Sequence, residues 1–180
     1  MKITKQNKIE ASSTAFRWHI LSNETPESMI GRMMDLIHDY RYDVRTKGPR
    51  ALKSSMTTTD PVTRTVWLTH GWADRPDARK ATTLAHEFVH ILQHRAHVDA
   101  KRDEKAGLAA YARKYASARG RWVIEMQAYA VTILAARSLG LDTSAMPKNI
   151  AETMWKNYKP WFLFTKSEII GATVEFLEGV

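Results

Sequence analysis

Cysteine is absent from the 180 residues. Disulfides and thiolate metal sites are excluded with it, so any transition metal must be held by His, Asp or Glu. Long apolar runs are missing too, and no stretch approaches the roughly 20 residues that a membrane-spanning helix needs. The N-terminal stretch from Met1 to Glu10 carries positive charge but no apolar core segment, which argues against a secretory signal. A soluble protein kept in the cytosol, or packaged into a larger particle, is the expectation. Neither an internal repeat nor a low-complexity segment is found.

What is present reads as an ordinary globular chain, 44% hydrophobic and 26% charged. A single domain over residues 1–180 is expected, long enough to bury about 70% of its unfolded surface. The balance of 27 Lys+Arg against 19 Asp+Glu, a formal +8, favours acidic partners. The basic residues are scattered, however, over Lys2 to Lys8, Arg41 to Lys53, Lys101 to Arg121 and Lys156 to Lys166. None of these stretches interleaves with aromatics in a nucleic-acid module, so a solvated basic surface is the favoured reading and nucleic acid a less favoured partner.

Ala15 to Leu21 predicts a first strand. Thr25-Pro26 then predicts a cap and first helical turn, with Ile30, Met33, Met34 and Ile37 on one face of a helix to about Tyr40. Arg41 to Thr59, polar, basic and interrupted by Gly48-Pro49, reads as a loop. Val62 to Thr69 alternates and is rich in β-branched residues, the pattern of a strand. A helix is expected from about Ala78 to His97 and a second from Asp99 to Ala118, with Arg119-Gly120-Arg121 as a break. Trp122 to Leu139, closed by Gly140, predicts a strongly apolar third helix. A short helix follows over about Lys148 to Tyr158, then an aromatic turn around Pro160-Trp161-Phe162. A last helix opens on Thr165-x-x-Glu168, the form of a capping box.

The pentapeptide His86-Glu87-Phe88-Val89-His90 stands inside the first of these central helices. Four residues bring His86 and His90 to nearly one face, and Glu87 lies about 100° around from His86. Two neutral imidazoles beside a carboxylate base are what a hydrolytic zinc site requires. Such a short motif can arise by chance, as two histidines on a surface helix, although Phe88, Val89, Ile91 and Leu92 argue against full exposure. A catalytic ion also needs a third protein ligand. His94 lies eight residues from His86, about 12 Å along a straight helix and too far for one ion. His97 would need the helix to end and turn back, which calls for a glycine soon after His90, and Gln93-His94-Arg95 offers none. Glu125 is the better candidate, because it is the only charged residue between Trp122 and Ala136. A lone carboxylate on a helix apolar nearly all round demands a compensating cation. That cation is a metal, or alternatively Arg119 or Arg121 near the helix start.

With His86-Glu87-x-x-His90 followed by Glu125-x-x-Ala128, the stretch from about Val62 to Ala136 resembles zincin metallopeptidases of the glutamate-ligand (gluzincin) type. His-Glu-Phe-Val-His-Ile-Leu-Gln-His and Glu-Met-Gln-Ala-Tyr-Ala are similar to small prokaryotic and phage-encoded zincins, including proteases that cleave repressors. The resemblance implies an α+β, mostly helical fold with a small mixed sheet, its edge strand binding an extended peptide. Val62 to Thr69 would be that strand. It also implies Zn2+ held by His86, His90 and Glu125, with Glu87 as general base. For the oxyanion donor the candidates are Tyr129, one turn beyond Glu125, then His70 and Tyr115. Metzincins are not matched, since position 96 is alanine where they need a third histidine. SprT-like DNA-associated proteases use a later histidine, and none follows His97. The expected partner is a protein or peptide substrate. The rival is a structural or binding protein of a larger assembly such as a virus particle, motivated by the aromatics Trp155, Tyr158, Trp161, Phe162 and Phe164.

Overall fold

Thr25 and Pro26 start the first helix as their sequence predicts. In the computed structural model, which describes residues 23–48, 50–51, 55–158 and 165–178, helix α1 spans Pro26–Asp39. The Thr25 hydroxyl accepts from the Ser28 amide at 3.2 Å, relieving one of the unpaired donors of the first turn. Met29, Met33 and Ile37 are fully buried on one stripe, each worth about 1.5–3 kcal/mol of transfer free energy. The expected strand at Ala15 to Leu21 and the aromatic turn around Trp161 lie outside the described residues.

The segment read as a loop from Arg41 to Thr59 instead contributes two strands, β1 (Asp43–Thr46) and β2 (Thr58–Asp60). They are too short and too polar to show a period. Between them in the sheet lies β3 (Thr65–Leu68), parallel to β1 and antiparallel to β2, with Thr59 opposite Val66. The strand expected over Val62 to Thr69 is therefore shorter, and it is central rather than at the edge. Pro61 to Arg64 form the turn that joins it to β2, and Val62 is 71% exposed. Val66 and Leu68 face the core, where the alternation places them.

Helix α2 (Asp77–Lys101) carries the pentapeptide and packs on α1. It ends at Arg102 in the left-handed region (φ 53°) and turns back into α3 (Glu104–Ala116), whose N-cap Asp103 accepts from the Ala106 amide at 2.6 Å. Gly107 permits this hairpin, because a Cβ there would lie 2.4 Å from the Val98 Cα. Arg119-Gly120-Arg121 does not break the chain after Ala118 but forms the first turn of α4 (Ala118–Ser138). Ser117 caps that turn by accepting from the Gly120 amide at 3.0 Å. Gly120 is needed there because a Cβ would meet the Lys114 carbonyl.

The apolar helix expected from Trp122 is buried on two sides. One side joins the core of α1, the sheet and α2. The other joins a second buried cluster with α5 (Met146–Tyr158) and α6 (Lys166–Glu178). Gly140, at φ 71°, closes α4 as predicted. The capping box also forms, with the Thr165 amide donating to the Glu168 carboxylate at 2.9 Å. The described residues are thus mostly helical with one small mixed sheet, an α+β arrangement.

Candidate metal centre

Helices α2 and α4 pack against each other, which sets the pentapeptide opposite Glu125. His86 Nε2 lies 3.7 Å and His90 Nε2 3.9 Å from Glu125 Oε2. One ligand atom from each of the three lies within 4.8 Å of the others. For legs of about 2.0–2.2 Å, three corners of a zinc tetrahedron stand about 3.3–3.6 Å apart, so the donor set fits such an ion with small movements. The side chains are 13%, 10% and 2% exposed respectively, so the centre opens to one side only.

The far nitrogen of each ring is already engaged. His86 Nδ1 lies 3.1 Å from Thr132 Oγ1, whose own proton goes to the Ala128 carbonyl at 2.9 Å. The Thr132 oxygen must therefore accept from Nδ1–H. His90 Nδ1 lies 2.9 Å from Gln93 Oε1, while Gln93 Nε2 donates to the Ile124 carbonyl (2.9 Å) and to Gln127 Oε1 (2.7 Å). Both imidazoles are thereby fixed in the tautomer that turns an Nε2 lone pair to the centre, the form a metal requires. Glu125 is held the same way, its Oε1 accepting from the Tyr115 hydroxyl at 2.9 Å.

Burial opposes the ionised form of Glu125, yet the two imidazoles and the Tyr115 hydroxyl outweigh it and hold the carboxyl down at about 2. Burial likewise pushes the His86 imidazole down, but Glu125 and Glu87 raise it further, and the balance is upward. A raised His86 imidazole beside a buried, ionised Glu125 marks a spot that favours positive charge. The partners seen around Glu125 are two imidazoles and a phenol. Arg121 donates through Nε to the Tyr115 carbonyl at 2.9 Å and lies over the Tyr115 ring.

Glu87 is 5% exposed and lines the same cleft, a cavity of about 810 Å³ between β2, α2 and α3. Its Oε2 accepts from the Thr59 hydroxyl at 2.8 Å. Tyr129 also lines the cleft, its ring edge-on to His86 at 4.6 Å between centroids, and burial pushes its phenol well up. Tyr115, the third oxyanion candidate, instead positions the Glu125 carboxylate. His70 is exposed in the turn after β3 and is not among the residues lining the cleft. The two histidines set aside as ligands are engaged elsewhere, His94 Nδ1 with the Tyr42 hydroxyl at 2.8 Å and His97 Nδ1 with the Gln93 carbonyl at 2.8 Å.

Sequence reasoning missed Gln93, Thr132 and Thr59. The first two carried a signal. Gln93 falls one turn after His90, and Thr132 two turns after Glu125 on an otherwise apolar helix. Thr59 carried none, because its contact with Glu87 spans 28 positions. No protein-family model, curated protein or solved structure matches the chain.

Proposed function

We propose that the protein is a metal-dependent peptidase of the zincin type, with His86, His90 and Glu125 as ligands to Zn2+ and Glu87 as the general base. The observation that carries this reading is the pair of imidazoles whose Nδ1 hydrogens are committed outward to Thr132 and Gln93, with a buried carboxylate facing both Nε2 atoms.

An ion at this centre would acidify a water molecule and polarise a carbonyl. Glu87 would take the proton from an attacking water and return one to the leaving amine. Thr59 occupies Oε2 of Glu87, which leaves Oε1 for the transfer. Tyr129, kept protonated by its burial, supplies a donor for the charge developing on the carbonyl oxygen. Among the described residues β2 pairs with β3 alone, so its other side offers backbone groups to an extended substrate in place of the central β3.

Glu87→Gln keeps the shape of the side chain and removes its basicity. The variant is expected to retain metal while peptide cleavage falls by at least ~100-fold. Proteolysis at the wild-type rate in Glu87→Gln would refute the mechanism.

A further inference from the structure

We infer that the cleft selects extended peptides carrying a bulky apolar side chain flanked by acidic residues, a preference that rests on the peptidase reading above. One wall is a stripe of α3 formed by Leu108, Ala109, Ala112 and Ala116, spaced to share one helical face. Leu108 and Ala109 are only half-buried and Ala112 and Ala116 are exposed. The three alanines leave room where a longer residue would fill the cleft, so the stripe is an apolar surface waiting for an apolar partner.

Charge around that wall is predominantly positive. The described residues lining the cleft include four cations, Arg75, Arg79, Lys105 and Arg121, against two carboxylates, Glu87 and Glu125. Those carboxylates sit at the centre, where a divalent ion would offset them, while the exposed Arg79 and Lys105 lie away from it. Arg79 and Lys105 are exposed and make no ion pair among the described residues. Arg79 lies seven residues before His86, about 10 Å along α2. Lys105 stands at the start of α3, beyond the opposite end of the pentapeptide, because the two helices turn back on each other. A bound peptide would therefore meet a cation on either side of its apolar residue. A cleft lined with one sign of charge focuses its field, raising capture of oppositely charged ligands by about 10-fold or more at low salt.

Binding separates this preference from catalysis. Two fluorescent peptides share a central leucine and differ only in flanking residues, glutamate in one and lysine in the other. They are titrated by anisotropy into zinc-loaded Glu87→Gln. The acidic peptide should bind ~10-fold more tightly at low ionic strength, the gap should close toward 1 M salt, and Arg79→Glu with Lys105→Glu should reverse the order. Equal affinities, or a gap indifferent to salt, would overturn the inference. So would competition by a single-stranded oligonucleotide of equal charge as strong as that of the acidic peptide. Tight binding of the acidic peptide with no cleavage by the wild type would leave the preference standing and remove the peptidase reading instead.

Discussion

At His90, Nδ1 is committed to the Gln93 amide oxygen, and Gln93 cannot turn because its NH2 group is already spent on the Ile124 carbonyl and Gln127. Replacing such an outer partner commonly costs 10–100-fold in metal affinity. Gln93→Leu is expected to weaken zinc binding by about that factor, measured by competition with a chelator, while Glu87→Gln leaves it unchanged. The titrations of the centre set the pH response of the metal-free protein. His86 is raised above its ordinary 6.5, so its contribution to stability is fully present below 6.5 and is lost as pH rises through the folded value. Glu125 is lowered from 4.5, so its contribution is present above 4.5 and is lost as pH falls toward about 2. Thermal unfolding of the metal-free protein should therefore show greatest stability from this pair between about 4.5 and 6.5. A falling Tm above that window should flatten in Glu125→Gln, and an unchanged slope would show that the pair is not its source. His86, Glu87, His90 and Glu125 were legible because each broke a pattern: a motif at helical spacing, and one charge in an apolar helix. Thr59 broke none, and Tyr115 was expected as an oxyanion donor and not as the partner of Glu125; tertiary packing alone sets both contacts.

At the scale of elements, the α2–α3 hairpin decides whether the cleft has a wall. Its two helices approach closely at Gly107, where a methyl group would press on Val98 backbone atoms that cannot step aside. Gly107→Ala is predicted to cost about 1–3 kcal/mol by overpacking, read as a drop in Tm of roughly 2–4 °C per kcal/mol. The same displacement moves Tyr115, so zinc affinity should fall with it. Stability and affinity both at wild-type values would show that the approach is not tight. Helices were the readable elements, since α1, α2, α4 and α6 announced themselves through caps, apolar stripes and a closing glycine. The sheet was not. Strands of three and four residues give no period to detect, and β3 was mistaken for an edge because its partners β1 and β2 were hidden in polar sequence. Gly120 was misread for a physical reason too, since a glycine that permits close contact with the preceding turn looks, in sequence, like one that ends a helix.

For the whole molecule, α4 links the two buried clusters and carries Glu125 between them. Metal binding at its centre should therefore be felt globally. Zinc at 100 times its dissociation constant is expected to raise the unfolding free energy by about 2.7 kcal/mol, visible as a Tm several degrees higher that EDTA reverses. The rival reading, a part of a larger assembly, drew on the aromatic tail. Of that group, Trp155 packs partly buried against the second cluster, which is the behaviour of a core residue. No helix among the described residues is long and apolar enough to cross a membrane. The central claim is that one ion is held jointly by α2 and α4. Equilibrium dialysis against zinc, comparing the wild type with Glu125→Ala, tests it most directly. One tightly held equivalent in the wild type, lost or weakened by orders of magnitude in the variant, is the predicted result. Equal zinc affinity in the two proteins, or none in the wild type, would contradict it.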